Sequence, residues 1–219
     1  MRIERIPAWL ADTNAYLVVS ATGEAILVDA PPDPDKIGAH IAEIGAPVVA
    51  ILLTHGHVDH TGGAGKLAAE TGAVTYVHPD DDFLTLHPER QLRALWGMAP
   101  PGSYEVPERL EDLHHGQILE LGGSVLEVRQ TPGHTPGHCC FHSKDEGTLF
   151  SGDQLFAGSV GRTDLPGGSW PDLMVSMREQ VMTLDDDVRV LPGHGPETTI
   201  GRERRVNPFR SEWAVAEGS

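Results

Sequence analysis

The stretch that most restricts how this chain can fold is the apolar run Val48-Val49-Ala50-Ile51-Leu52-Leu53, followed at once by Thr54-His55-Gly56-His57-Val58-Asp59-His60. An unbroken apolar run of that length and β-branched content reads as a strand buried on both faces. Directly behind it, His55, His57, Asp59 and His60 crowd metal-capable side chains into one short segment, a density that few folds tolerate without a metal. Gly62-Gly63 and then Ala64 to Glu70 read as a turn into a short helix. The cluster therefore lies where a buried strand ends and a loop begins, the place where open α/β sheets keep their reactive groups.

The rest of the chain repeats that event. Residues 2–6, 15–19 and 25–28 read as an antiparallel meander of strands, and Asp29 ends the third. A helix is expected over 35–44, where Ile37, Ile41 and Ile44 share a face, then the buried strand, the second helix and a strand over 73–77. Strands 117–121 and 124–129 flank Gly122-Gly123 as a hairpin, and strands 139–142 and 148–150 follow. A helix over 171–184, a strand over 188–191 and a short helix over 200–206 complete the pattern. At His55, His134, Asp153 and His194 a strand gives way to a turn rich in Gly or Pro that carries a His or Asp. Glycine there lets backbone approach an ion closely, and proline stiffens the presentation.

A chain of 219 residues suits one domain spanning residues 1–219, with a lid or insertion at about 80–113 where periodicity is lost around Trp96 and Met98. The balance of 16 basic against 32 acidic residues, net −16, disfavours nucleic acid as a partner. No apolar run approaches the roughly 20 residues of a membrane span, and the N-terminus lacks a signal peptide's apolar core, so no membrane association is expected. Cys139 and Cys140 are adjacent and poorly placed to bridge each other, and a cytoplasmic location is the expectation. A homo-oligomer is compatible with all of this.

Imidazole and carboxylate are ligands for zinc, iron and manganese. Adding His134, Asp153 and His194 to the four residues of the first segment gives seven groups, enough for two ions sharing one carboxylate, whereas a single four-coordinate ion would leave three idle. His40, His78, His87, His114 and His115 read as surface or capping residues, and His138 as a structural or ligand-supporting histidine. Asp29, by its position at a strand end, is a candidate partner for a ligating histidine.

The segment His55-Gly56-His57-Val58-Asp59-His60 resembles the HxHxDH signature of the metallo-β-lactamase superfamily, with His134, Asp153 and His194 in that family's order. Within it, Pro132-Gly133-His134-Thr135-Pro136-Gly137-His138, Ser151-Gly152-Asp153, Gly161-Arg162-Thr163-Asp164 and Leu191-Pro192-Gly193-His194 resemble glyoxalase II-like hydrolases, the hydroxyacylglutathione hydrolases. The resemblance implies an α/β fold, a four-layer αββα sandwich of two mixed β-sheets. It implies one ion held by His55, His57 and His134, another by Asp59, His60 and His194, and Asp153 bridging. Two divalent ions are thus expected, zinc first, with iron or manganese as alternatives. A water between two such ions becomes a hydroxide nucleophile near neutral pH, and Asp59 would act as the catalytic residue that orients it.

The resemblance makes the chain a metal-dependent hydrolase, and the reaction expected first is thioester hydrolysis of S-acylglutathione-type, small-molecule substrates, with Arg162 meeting a substrate carboxylate. The runner-up is a mononuclear-iron persulfide dioxygenase, whose members share a segment like Gly161 to Asp164. The intact set Asp59, His60 and His194 favours the hydrolase. Lactam hydrolysis is disfavoured, because lactamases of the superfamily generally carry a cysteine in the second site. Longer glyoxalase II enzymes supply basic residues from a C-terminal helical domain, for which Arg202 to Arg205 are the nearest substitute here.

Overall fold

The computed structural model describes residues 1–214. Its first sheet runs β1 (Arg2–Ala8), β2 (Thr13–Val19), β3 (Ala25–Val28), β4 (Val48–Leu52), β5 (Val74–Val77) and β6 (Leu110–Asp112) in that spatial order. The first three strands pair antiparallel and the last four parallel, so the sheet is mixed. The second sheet contains β7 (Ile118–Leu121), β8 (Ser124–Gln130), β9 (Cys139–Ser143), β10 (Thr148–Gly152), β13 (Arg189–Pro192) and β14 (Thr198–Thr199), ordered β14-β13-β10-β9-β8-β7. Only its β10 and β13 pair parallel. A small hairpin, β11 (Leu155–Phe156) with β12 (Ser159–Val160), stands apart.

Side-chain alternation along the strands builds the layers. In β2, Ala15 and Leu17 face outward, while Tyr16 and Val18 face the second sheet. The outward face is covered by α1 (Pro34–Ile44) and α3 (Ala64–Thr71) through Ile37, Ile41, Ile44, Ala64 and Leu67. Between the sheets, Val28 and Leu52 meet Leu126, Phe141 and Phe150. Behind the second sheet, Leu149 and Val190 pack on α6 (Trp170–Ser176), α7 (Ile200–Val206) and α8 (Arg210–Trp213). The four layers are helix, sheet, sheet and helix, which is the expected αββα sandwich. Cys139 and Cys140 lie on opposite faces of β9 and are both free.

Three stretches differ from the sequence-based expectation. The segment over 80–113 is more ordered than its sequence suggests: a 3-10 turn at Pro79–Asp81, α4 (Asp82–Thr85), α5 (Pro88–Trp96) and then the edge strand β6. The edge strand is short and carries Glu111 and Asp112, so it leaves no apolar trace to read. The helix expected over 171–184 ends as an α-helix at Ser176 and continues as a π turn, Met177–Val181. That wider turn, closed by Met182 N donating to Met177 O at 2.8 Å, keeps Met177, Val181 and Leu184 in the core. Val58–Thr61, read as loop, forms the one-turn helix α2. Among the described residues no helix is long and apolar enough to cross a membrane.

Candidate metal centre

The ends of four strands converge at one edge of the sandwich. Beyond β4 the chain turns so that His55 and His57 project together, and α2 then presents Asp59 and His60. His134 comes from the connection between β8 and β9, Asp153 follows β10, and His194 follows β13. Backbone bonds clamp these loops across the two sheets: Cys139 N donates to Thr54 O, Gly193 N to Gly152 O and Asn14 N to Gly193 O. Gly193 is required by crowding, since a Cβ there would overlap Asp153 Oδ1 and come within 2.6 Å of His60 Cε1.

All seven side chains singled out from the sequence meet. His57 Nδ1 lies 3.1 Å from His55 Nε2 and 2.9 Å from His134 Nε2. Asp59 Oδ2 lies 3.3 Å from His194 Nε2 and 3.5 Å from His60 Nε2. Asp153 stands between the two groups, 3.4 Å from His60 through Oδ1 and 3.4 Å from His134 through Oδ2. Three overlapping sets follow, each with ligand atoms within 4.8 Å of one another: His55, His57 and His134; His55, His60 and Asp153; Asp59, His60 and His194.

The outer hydrogen bonds indicate what the inner atoms offer. His134 Nδ1 lies 2.7 Å from Arg162 O and His194 Nδ1 lies 3.2 Å from Ala11 O, and a carbonyl can only accept, so both protons sit on Nδ1. His60 Nδ1 donates to Asp29 Oδ2 at 2.8 Å. Asp29 also accepts from Thr54 N and Thr54 Oγ1, and that hydroxyl is 3.0 Å from His55 Nδ1. The strand-end position of Asp29 thus pointed to a hydrogen-bond partner of His60, a histidine of the cluster. His55, His60, His134 and His194 then turn Nε2, and His57 turns Nδ1, toward one another and toward two carboxylates, in a place where Asp153 Oδ1 is buried and without a hydrogen-bond partner. Such a focus of electron pairs is stabilised by a cation, and the donor set of imidazole and carboxylate fits zinc, iron or manganese.

Electrostatics agree. Burial opposes a charge on His60, but Asp153, Asp59 and Asp29 outweigh it and push the group up to about 10. A proton there does part of what a metal ion would do. Burial together with neighbouring imidazoles drives His55 well below its ordinary value, His57 down to about 3 and His134 down to about 4. Burial works to raise Asp59, yet His60 and His194 hold it far below the usual carboxylate range, while burial raises Asp153.

Supporting residues include some that the sequence did not reveal. Asp81 is fully buried and accepts from Gly56 N and Gly137 N, both at 2.7 Å, and from the Thr135 hydroxyl at 2.6 Å, tying the His55–His57 turn to the His134 loop. Gln91 of α5 accepts from Val58 N and donates to Gly56 O. Neither leaves a periodic signal; Asp81 lies inside an acidic run that reads as solvated. His138, as expected of a structural histidine, accepts from Asp153 N at 3.0 Å and so fixes that carboxylate's backbone. His78 caps the 3-10 turn by accepting from Asp80 N, and His40 reaches only Lys36 O.

A cavity of about 570 Å³ opens over the cluster, walled by Leu95, Trp96, Phe156, Val160 and Leu165, with Arg162 among its lining residues. Trp96 thus forms part of the cavity wall, and Trp9 stands edge-on to it at a ring separation of 5.4 Å. Arg162 is exposed and paired in bidentate fashion with Asp164. Arg204 and Arg205 are paired with Asp186 and Arg202 with Glu203, and none of the three lines the cavity.

The family model described as the metallo-β-lactamase superfamily matches residues 9–194. Hydroxyacylglutathione hydrolase GloC of Haemophilus influenzae is 34% identical over 209 residues, covering 95% of this chain and 98% of that protein. The crystal structure of BLEG-1 B3 metallo-beta-lactamase superposes with a TM-score of 0.88 at 33% identity, covering 96% of this chain and all (100%) of that one. That of TTHA1623 in a di-iron-bound form gives a TM-score of 0.85 at 39% identity, covering 94% of this chain and 99% of that one.

Proposed function

Because the chain belongs to the metallo-β-lactamase superfamily, we propose that this metal-dependent hydrolase cleaves thioesters of the S-acylglutathione type. The observation that carries the reading is the convergence of seven imidazole and carboxylate groups into two complete halves with no cysteine among them. A mononuclear iron oxygenase needs only two histidines and a carboxylate. Here the Asp59, His60 and His194 half would stand without a task. GloC supports the thioester class, and the di-iron form of TTHA1623 keeps iron beside zinc as the metal.

One ion would be held by His55, His57 and His134, the other by Asp59, His60 and His194, with Asp153 shared. Bound there, two divalent ions supply a water acidified toward neutral pH and an electrophile for the substrate carbonyl. The chain's own groups do the positioning. Thr13 Oγ1 donates to Asp59 Oδ2 at 3.2 Å, which fixes the carboxylate that would orient a water at the loaded centre. Leu95, Trp96, Phe156 and Leu165 exclude bulk water from one side of the carbonyl. Arg162 can exchange Asp164 for a substrate carboxylate at little cost, because an exposed ion pair in water is weak.

The test combines elemental analysis of the purified protein with hydrolysis of S-lactoylglutathione, oxygen uptake with glutathione persulfide and turnover of a β-lactam. Two metals per chain with thioester hydrolysis is the expected result. One iron with oxygen uptake, or lactam turnover alone, refutes it. In His57→Ala and Asp153→Ala, hydrolysis is expected to vanish while the circular dichroism spectrum stays native; activity retained in both variants overturns the site.

A further inference from the structure

A second, smaller pocket of about 280 Å³ opens beside the first, and the two share His57, Leu95 and Leu165. Its remaining walls include Phe83, Leu84, Ala94 and Pro166. Apart from His57, whose Nε2 is buried without a hydrogen-bond partner, the polar groups around it are engaged. Gln91 uses its amide on Val58 N, Gly56 O and Leu84 O, and the Arg90 guanidinium is 72% exposed beside Glu89. Phe83 and Leu95 remain 43% and 44% exposed, an apolar surface that gains from being covered.

We propose that this pocket receives the acyl chain of the substrate, so that the protein prefers thioesters of straight apolar acyl groups to short or charged ones. The proposal rests on the thioesterase reading and adds the acyl class to it. A thioester carbonyl held against the cluster has two substituents, and two cavities lead away from His57. The larger one, with Arg162 in its wall, suits a bulky polar thiol carrier; the smaller apolar one is left for the acyl group. At the roughly 30 Å³ that a water takes up in the liquid, it has room for about nine non-hydrogen atoms. A lactoyl group would leave most of that space unfilled, whereas a chain of six to eight carbons would fill it. Each methylene buried there is worth about fourfold in kcat/KM when the gain is kept in the transition state.

The experiment measures kcat/KM of the metal-loaded protein for acetyl, butyryl, hexanoyl and octanoyl thioesters of glutathione and of N-acetylcysteamine. Calorimetry follows the binding of acetate and hexanoate to the same protein. The expected result is a rise on the order of a hundredfold or more from acetyl to hexanoyl, a step of four methylenes, shared by both thiol series. Ala94→Trp, made on the exposed side of α5, is expected to lower the hexanoyl-to-acetyl ratio by a similar factor, and Phe83→Ala to move the preferred length upward. A flat acyl series overturns the proposal. So does a ratio that neither variant changes, or a preference that follows the thiol instead of the acyl chain. If no thioester is hydrolysed, the thioesterase reading fails alone provided that hexanoate still binds more tightly than acetate and Ala94→Trp removes the difference; equal binding of the two sinks both.

Discussion

Asp81 offers the sharpest test of how the centre is held, because it touches no proposed metal ligand and yet fastens two of the loops that carry them. Its Oδ2 accepts from Gly56 N and the Thr135 hydroxyl, and its Oδ1 accepts from Gly137 N. Gly56 lies between His55 and His57, and Thr135 follows His134. In Asp81→Asn the amide NH2 must face one of the two backbone N–H groups whichever way it is turned, while the Thr135 hydroxyl can rotate. One buried donor is left without an acceptor, at about 1–3 kcal/mol. Burial raises the Asp81 carboxyl above its ordinary value despite these three bonds, so removing the charge returns part of that loss. The net destabilisation is about 1–2 kcal/mol, or roughly 2–8 °C in Tm for a chain of this length.

Asp81→Ala orphans all three donors and opens a cavity, which takes the loss to about 3–5 kcal/mol. Both variants are also expected to weaken metal binding about tenfold or more, since the turn holding His57 is no longer tied to the loop holding His134. Differential scanning calorimetry of the metal-free protein reads the first effect. Competition with a chromophoric chelator reads the second. An Asp81→Asn protein that melts within about 1 °C of the parent and titrates metal identically would mean that the carboxylate does not organise the centre.

Asp29→Asn removes the acceptor of His60 Nδ1–H and is expected to lower metal affinity about 10–100-fold, with Tm of the loaded protein falling in step; unchanged affinity in a chelator competition refutes the role given to Asp29. The His60 proton gives the metal-free protein a definite pH signature. Its folded value of about 10 lies above its ordinary 6.5, so its contribution to stability is complete below pH 6.5 and is lost as pH rises through 10. Metal must displace that proton, and the water acidified at the centre gives up another, so calorimetry at pH 8 in buffers of different ionisation enthalpy should count at least one proton released per chain; a count near zero contradicts the assignment. Gly193→Ala forces its Cβ against Asp153 Oδ1, and an ångström of displacement there is expected to reduce kcat about a hundredfold while the sandwich still folds; a variant of near-normal kcat would show that Asp153 tolerates movement.

The parts of the fold that were legible in the sequence are those whose physics is local. A strand buried on both faces must be continuously apolar, as Val48 to Leu52 is, and a polar residue at the end of such a strand has to be explained by what lies beyond it. That reasoning reaches His55, His134, Asp153, His194 and also Asp29. It does not reach Asp81, whose bond to Gly137 N spans 56 positions and whose neighbours Asp80 and Asp82 make it look like part of a solvated turn. Nor does it reach Phe156 and Val160, which wall the cavity from a hairpin of two-residue strands too short to show alternation. The missed residues are those that fix where one loop stands against another.

This division has a physical consequence for the centre itself. The segments that carry the cluster come from both sheets, and in the metal-free protein their lone pairs and carboxylates face one another with the proton on His60 and the raised proton affinity of His194 as compensation. The sandwich, through Phe141, Phe150 and Leu52, and the buried ties of Asp81, Asp29 and His138, hold that repulsive arrangement in place before any ion arrives. Preorganisation of this kind transfers part of the folding free energy into metal affinity. A loss of core packing far from the cluster should therefore weaken metal binding as well as lower Tm. A loss confined to one proposed ligand such as His57 should remove one of the two ions and leave the metal-free protein as stable as before, or more so, because one member of the crowded set has gone.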